Sequence, residues 1–192
     1  MVRRRPAETL DEAAWVEAAL ELLLEVSIEK VGVEPLAKKL GVTKGSFYWH
    51  FKDRAALHDA MLRTWKQRAT LAIIQRVEQS ESSPLERLKQ MVDLPYRSKT
   101  NNAARIELAI RAWARKDERA ANAVAEVDEQ RLTFFVGLLK SIGYDDLEAS
   151  ARAYLIYSYN FASSLIVTSD SPANKRLLAS RRERASHILI GL

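Results

Sequence analysis

The sequence predicts an all-α protein, with a small three-helix domain at the amino terminus followed by a larger helical domain, about nine helices in all. Apolar residues recur at helical spacing along most of the chain. Only 6 glycines and 5 prolines interrupt 192 residues, which leaves room for long helices. A tight glycine turn also separates two short helices within residues 36–54. We place the domain boundary after residue 55, giving domains 1–55 and 56–192.

The segment LAKKLGVTKGSFYWHFKDR, residues 36–54, holds the most informative pattern. Gly41 can adopt positive φ and so end the first short helix without a Cβ clash. Thr43 is a favourable N-cap residue for the second helix. Ala37 is small enough to let the two helices cross at a steep angle. The spacing of Ala37, Gly41 and Phe47 is typical of a helix-turn-helix motif.

The second helix of this motif has an apolar face and a face that suits DNA. At about 100° per residue, Phe47 and Phe51 share the side that points into the core. The opposite side carries Gly45, Tyr48, Trp49 and Lys52, flanked by Lys44, Ser46 and His50. Aromatic rings can pack on thymine methyls and sugars, while lysine, serine and histidine reach phosphates or base edges. The alternative is that Tyr48 and Trp49 cover a neighbouring helix.

The segment GVTKGSFYWHFKDRAAL resembles the helix-turn-helix signature of the TetR-type (tetracycline repressor) bacterial transcriptional regulators. The resemblance is specific over residues 10–60 and architectural beyond them. Carried over by position, it implies one set of DNA-contacting residues: Thr43, Lys44, Gly45, Ser46, Tyr48, Trp49, His50 and Lys52. The family usually opens its first motif helix with Thr or Ser, which holds a phosphate, whereas this chain has Val33-Glu34-Pro35. Whether that start keeps a phosphate contact is left open.

Charge is distributed unevenly around the motif, although the chain as a whole has a net charge of +5. The first predicted helix, about residues 10–26, is acidic, and lysines crowd the helix-turn-helix. Arg3, Arg4 and Arg5 form a basic arm that either reaches into a minor groove or serves as a solubilising tail.

Composition excludes several classes of protein. Cysteine is absent, so a disulfide framework, a thiolate nucleophile and sulfur-ligated metals are ruled out. No run approaches the roughly 18 apolar residues of a membrane span. We therefore expect a cytoplasmic protein with no membrane partner.

Polar breaks and helix caps divide the chain beyond residue 55 into six further predicted helices. A helix from Pro84 to about residue 99 is kinked or ended early by Pro95. Gly143 stops the long helix that Asp117 caps. The six predicted ranges are 55–78, 84–99, 101–116, 117–142, 145–168 and 173–190.

The last two predicted helices carry a broad apolar stripe that is rich in small residues. Such a stripe often faces another helix pair, and the resemblance implies a four-helix bundle with a second copy of the chain. An ordinary intrachain core is the alternative. A two-fold homodimer would bind a palindromic operator in double-stranded DNA. The dimer residues we predict are Tyr154, Ser158, Ala162, Leu165, Leu177 and Ile188.

Aromatic residues interspersed with polar groups in the larger domain indicate a small-molecule pocket between helices, which the resemblance also implies. Plain core packing is the alternative for each of them. The pocket residues we predict are Tyr96, Trp113, Phe134, Tyr157 and Phe161. The sequence does not identify the effector.

The sequence thus predicts a DNA-binding transcriptional regulator, as a homodimeric repressor released from its operator by a small-molecule effector. A DNA-binding regulator without a ligand, whose larger domain serves only dimerisation or protein contacts, is the alternative. We expect no enzyme, because the chain lacks the Glu-x-x-His pairs of di-metal bundles, a phosphate loop and a Gly-rich dinucleotide motif. No cofactor and no metal are expected.

Overall fold

The computed structural model describes residues 10–93, 102–166 and 171–191, and every regular element among them is helical. Ten α-helices lie in these ranges, with a 3₁₀ turn at Ile28–Lys30 and a π-helical turn at Gln67–Leu71. The helices are α1 (Glu12–Leu23), α2 (Val33–Leu40), α3 (Lys44–Tyr48), α4 (Arg54–Lys66), α5 (Ala72–Glu78), α6 (Pro84–Val92), α7 (Asn102–Ala114), α8 (Glu118–Ser141), α9 (Asp146–Leu165) and α10 (Pro172–Ile190). Counting α4, the π-helical turn and α5 as one run gives nine helices within the described ranges. The predicted all-α fold class is confirmed.

By its internal contacts the chain divides into two compact units. The first comprises the chain up to Arg68 together with Arg105–Val124, and the second comprises Ala69–Ala104 together with the chain from Ala125 onwards. The functional boundary that we predict after residue 55 is a different kind of division. It is not tested by these contacts and stays a prediction.

The first unit is held together by α1, which packs against α2 and α4. Trp15 is fully buried at its centre. Both long helices begin at an aspartate cap: Asp11 accepts from the N–H of Ala14 at 2.8 Å, and Asp53 accepts from the N–H of Ala56 at 2.8 Å. Such caps satisfy N–H groups that the first turn of a helix leaves unpaired, so they fix where α1 and α4 start.

The second unit has its own apolar core, to which α6, α8, α9 and α10 contribute. The side chain of Ser83 and that of Glu86 form a reciprocal capping box at the start of α6. Gly143, with φ of +105°, ends the turn after α8 where the sequence predicts a stop. The core side chains are Val77, Leu88, Met91, Val92, Phe135, Leu138, Leu139, Ala149, Ala153, Ile156 and Ile190.

Several predicted helix ends are wrong by a few residues. The helix predicted over 84–99 ends at Val92, and Pro95 lies outside the described residues. The first helix spans Glu12–Leu23 rather than 10–26, because Asp11 takes the cap position and the chain turns after Leu24. α9 ends at Leu165, three residues before the predicted end at Thr168.

Candidate nucleic-acid interface

The turn between α2 and α3 gives the motif its geometry. Gly41 has φ of +69°, a left-handed conformation that residues with a Cβ adopt only with strain. The N–H of Val42 donates to the carbonyl of Ala37 at 3.0 Å, and the N–H of Gly41 donates to the carbonyl of Lys38 at 3.3 Å. These two bonds satisfy carbonyls at the end of α2 and set the direction in which the chain enters α3.

The inner face of α3 is fixed by aromatic packing. Phe47 is 0% exposed, and Phe51 is also buried, so the prediction that both point into the core is confirmed. The Phe47 ring lies edge-on to Trp15, with ring centroids 5.4 Å apart at 81°, and 5.3 Å from the ring of Phe51. α3 has only five residues, too few to be stable alone, so this packing determines its orientation.

The outer face of α3 exposes two large aromatic side chains. Trp49 is 88% exposed and Tyr48 is 60% exposed. Neither ring covers a neighbouring helix within the described chain, which was the alternative interpretation. Of the eight predicted DNA-contacting residues, Ser46 and His50 are half-buried, and the exposed ones are Thr43, Lys44, Gly45, Tyr48, Trp49 and Lys52.

Gly45 has no structural reason to be glycine in this chain. A Cβ placed there would meet only the Oγ1 of Thr43, at 3.6 Å, an ordinary contact. Thr43 occupies the N-cap position of α3 as predicted, but its side chain makes no capping hydrogen bond. The start of α3 is therefore an open surface with a bare backbone and an exposed hydroxyl, which suits close approach of a phosphate or a groove.

α3 is shorter than the sequence pattern predicts. Trp49 is its C-cap residue, and the N–H groups of His50 and Phe51 both donate to the carbonyl of Phe47 at 3.0 Å. These bonds close a final turn, after which the chain leaves the helix. Lys52 therefore lies beyond α3, on the way to α4, rather than on the helix itself.

Ion pairs reduce the positive charge that the sequence concentrates at the motif. The Nζ of Lys39 lies 3.4 Å from Glu21, on α1, and 3.7 Å from Glu25, just after the end of α1. The Nζ of Lys44 lies 2.6 Å from the Oε1 of Glu34. The hydrogen bond and the charge of Lys44 hold the pKa of the Glu34 carboxyl below its ordinary value. Sequence reasoning missed all three ion pairs, since the partners are ten or more residues apart in the chain.

All six predicted dimer residues lie on exposed faces of the single chain. They are distributed over α9 and α10, and large apolar neighbours on the same helices, among them Leu147 and Leu155, are exposed as well. Large apolar side chains exposed on two helices that pack together commonly mark an interaction site. The six are Tyr154, Ser158, Ala162, Leu165, Leu177 and Ile188.

The predicted pocket residues fall in different places. Tyr96 lies outside the described residues. Trp113 belongs to the first unit, where it is buried against the ring of His58 with centroids 5.2 Å apart. Phe134, Tyr157 and Phe161 belong to the second unit, and each is half-buried.

A groove of about 640 Å³ opens in the second unit and includes Phe134. Its other lining residues were not predicted, although many of them follow helical spacing along α8. They are Ile74, Glu78, Arg87, Glu129, Gln130, Thr133, Gly137, Leu138 and Ser141. The volume lies in the range of small-molecule sites.

Tyr157 is part of a hydrogen-bonded cluster in the second unit. Its hydroxyl donates to the Oδ1 of Asp128 at 2.5 Å and accepts from the Nη1 of Arg131 at 3.1 Å. The Nη2 of Arg131 donates to the carbonyl of Ala69 at 3.1 Å, at the π-helical turn. The Tyr157 hydroxyl is therefore held by protein partners.

The described residues offer neither a metal site nor a membrane span. Within residues 10–93, 102–166 and 171–191, no three histidine, aspartate or glutamate side chains are grouped so as to hold a metal ion. No helix in the same ranges is long and apolar enough to cross a membrane.

The geometry of the first unit is thus that of a helix-turn-helix protein, in which α3, the short second helix of the motif, exposes aromatic and basic groups. Residues 16–61 match the family described as bacterial regulatory proteins, tetR family. This match confirms the resemblance of the amino-terminal motif to the tetR-type regulators that the motif residues predict.

Curated relatives match the same region. The tetracycline repressor protein class C of Escherichia coli is 44% identical over 52 residues, covering 27% of this chain and 24% of that protein. The HTH-type transcriptional regulator TtgR of Pseudomonas putida is 35% identical over 63 residues, covering 32% of this chain and 30% of that protein. The chain thus spans about a quarter to a third of the length of these relatives.

The likeness of fold extends much further along the chain. A crystal structure of a transcriptional regulator from Rhodococcus sp. Rha1 superposes with a TM-score of 0.71, covering 95% of each chain at 24% sequence identity. At that identity the likeness concerns the fold, and it includes the larger helical region as well as the motif.

Proposed function

We propose that this protein is a sequence-specific, DNA-binding transcriptional regulator, and that it acts as a homodimeric repressor released from a palindromic operator by a small-molecule effector. The observation that carries the proposal is the contrast within α3. Phe47 and Phe51 are buried, while Tyr48 and Trp49 are exposed beside Lys44.

Exposure of two adjacent aromatic rings beside lysines is unfavourable for an isolated domain, since large apolar side chains are usually buried. In a major groove the same groups have partners, because rings pack on thymine methyls and lysines neutralise phosphates. The eight proposed contacts are Thr43, Lys44, Gly45, Ser46, Tyr48, Trp49, His50 and Lys52. The tetR-family match over residues 16–61 supports this assignment.

Two variants separate sequence-specific from general contacts. Tyr48→Ala should weaken binding to the operator by about 1–3 kcal/mol if the ring contacts a base. Lys52→Ala should weaken binding to all sequences alike and reduce the salt dependence by about one counterion. Fluorescence anisotropy with operator and scrambled duplexes at several salt concentrations measures both. If both variants bind like the parent, the proposed interface is wrong.

The proposed homodimer is supported by the exposed apolar stripe of α9 and α10. One short recognition helix offers few base contacts, and a two-fold dimer doubles them and requires a palindromic site. Sedimentation velocity should give a dimer for the parent chain. Tyr154→Glu, which places charge in the proposed interface, should give monomers with unchanged helicity. A parent that sediments as a monomer at micromolar concentration contradicts this part of the proposal.

The proposed effector site is supported by the groove that includes Phe134, whose lining combines apolar and charged groups. In the dimer, the two recognition helices must be spaced to match the two half-sites of the operator. An effector that binds better to a conformation with a different spacing would release DNA, because the coupling between the effector site and the DNA site is reciprocal. The fluorescence anisotropy of a labelled operator duplex bound to the protein should fall when an effector that releases DNA is added. Phe134→Ala should shift that response to higher concentration without changing operator affinity.

A regulator without a ligand is the second candidate, and one observation favours it. The hydroxyl of Tyr157, one of the proposed lining residues, is already hydrogen bonded to Asp128 and Arg131. If no compound in a broad metabolite set changes operator affinity or thermal stability, this candidate replaces the ligand-relieved one.

A further inference from the structure

The pair formed by Lys44 and Glu34 includes one of the proposed DNA contacts. Lys44 is the first residue of α3, and Glu34 is in the first turn of α2. The Nζ of Lys44 and the Oε1 of Glu34 are 2.6 Å apart, and both side chains are well exposed to solvent. This pair therefore lies on a surface that the proposed function assigns to DNA.

The chemistry of the pair makes it a rival of DNA. A carboxylate and a phosphate offer the same ligand to an ammonium group, an anionic oxygen that accepts a charge-assisted hydrogen bond. The Lys44 ammonium has three N–H donors, so Glu34 does not exclude a phosphate outright. Its hydrogen bond takes one donor, and its negative charge neutralises the lysine and repels a phosphate, so both weaken the contact that Lys44 makes with DNA. Lys52 differs, because no ion-pair partner is found for it among the described residues.

The folding of the motif gains little from Glu34. Exposed ion pairs contribute little to stability. The N-cap of α2 is Gly32, and the side chain of Glu34 makes no capping bond to it. A carboxylate in the first turn of a helix is mildly favourable, and an uncharged polar residue would fit the same exposed position.

We propose that Glu34 is an internal competitor for Lys44. By neutralising the Lys44 ammonium that a DNA phosphate would otherwise bind at full strength, it lowers the affinity of the protein for DNA and reduces the salt dependence of binding. Glu34 is thus a residue that sets affinity without touching DNA. This inference rests on the proposed function, and it adds a role that the resemblance, which has Thr or Ser near this position, does not imply.

A double-mutant cycle in the full-length protein tests the competition. Glu34→Gln should tighten operator binding by about 1.5-fold to fivefold per chain, the range set by exposed ion pairs. The slope of log K against log[salt] should become steeper by up to about 0.9 per chain. In a Lys44→Met background, Glu34→Gln should tighten binding by clearly less than in the parent, because only the repulsion between the carboxylate and DNA phosphates remains to be relieved.

A matched control separates competition from net charge. Glu12→Gln removes the same charge from the same unit, but Glu12 pairs with Arg63, at 3.8 Å, and not with a motif lysine. It should leave affinity within about 1.5-fold of the parent. Equal tightening by Glu34→Gln with and without Lys44, or equal tightening by Glu12→Gln, overturns the proposal.

A second measurement does not depend on DNA at all. The Glu34 carboxyl, followed by NMR, should titrate at a lower pH in the parent than in Lys44→Met, since Lys44 lowers its pKa. An unchanged titration midpoint means that the pair does not exist in solution, and the proposal fails. A parent protein that binds no DNA but keeps the midpoint difference refutes the proposed function while leaving the ion pair intact.

Discussion

Truncation of Phe47 is the most severe perturbation that the motif offers. Phe47 is fully buried, and its ring contacts those of Trp15, Tyr48 and Phe51 at centroid distances of 5.3–5.4 Å. Replacing a buried Phe by Ala costs about 3–5 kcal/mol through lost burial and the cavity left behind. That loss is comparable to a large part of the total stability of a small domain, about 5–15 kcal/mol. We expect Phe47→Ala to unfold α3 and to abolish specific DNA binding.

The four tryptophans provide an assay that reports on the first unit. Trp15, Trp49, Trp65 and Trp113 are the only tryptophans of the chain, and all four lie in that unit. Urea unfolding followed by tryptophan fluorescence therefore measures the first unit, while far-UV circular dichroism follows the helices of both. The midpoint of the fluorescence transition should fall sharply in Phe47→Ala, with the circular dichroism of the second unit retained.

Two control variants test whether the loss comes from the buried volume of Phe47. Phe47→Leu, which keeps most of the volume, should cost less than half as much as Phe47→Ala. Trp49→Ala, a change at a side chain that is 88% exposed, should alter stability by less than about 0.5 kcal/mol, with three tryptophans left to report. A loss below about 1 kcal/mol for Phe47→Ala, or an equal loss for Trp49→Ala, would refute the assignment of inner and outer faces.

Three further predictions concern stability, each measured by the same fluorescence transition. The pKa of Asp117 is lowered to about 2, chiefly by its hydrogen bonds to Arg119, so the ionised carboxylate stabilises the folded state fully above its ordinary pKa of 3.8. Asp117→Asn should therefore cost about 1 kcal/mol at neutral pH, and this cost should shrink as the pH falls through about 2. His58 is buried with its Nε2 3.2 Å from the carbonyl oxygen of Val31, and burial lowers the pKa of its imidazole from the ordinary 6.5. Because the unfolded chain then binds more protons than the folded one, the free energy of unfolding should fall as the pH is lowered from about 7 to 5. His58→Gln should flatten that decline. Gly41→Ala should lower the free energy of unfolding by about 1 kcal/mol through the backbone φ of +69° alone, because nothing lies within 4 Å of the added Cβ. Gly41→Asn should cost less, since asparagine tolerates this conformation better than alanine. Equal losses for the two variants would contradict the conformational explanation.

Local signals explain why the motif could be predicted from the sequence. A glycine that ends α2, a small residue at Ala37 and the four-residue spacing of Phe47 and Phe51 act over short distances, so their consequences follow from the chain itself. The end of α3 was harder to predict, because helical spacing continues to Phe51 while the helix stops at Tyr48. Its last turn is closed by two N–H groups that share one carbonyl, which no periodicity reveals.

Pairings between distant residues could not be predicted. Lys44 and Glu34 are ten residues apart on different helices, and only the fold brings the ammonium and the carboxylate within 2.6 Å. The same limit applies to the larger region. An apolar stripe has the same period whether it faces an intrachain core or a second chain, and the exposure of Tyr154 and Leu177 became visible only in the folded chain.

Aromatic residues are equally ambiguous from sequence alone. Phe134 and Phe135 are neighbours in α8, yet Phe134 lines the groove and Phe135 is buried in the core of the second unit. Trp113 is buried in the first unit against His58. Composition and spacing suggested one pocket for such residues, whereas their burial depends on which elements pack on each face of a helix.

The most direct test of the proposed interface is selection of bound fragments from a random DNA pool at physiological salt, carried out in parallel with the parent chain and with Tyr48→Ala. We predict that the parent enriches a two-fold symmetric site with half-sites about one helical turn apart, and that Tyr48→Ala loses the enrichment while keeping its fold. Enrichment of the same site by both proteins, or salt-sensitive binding with no enriched sequence, would contradict the claim that the outer face of α3 reads DNA.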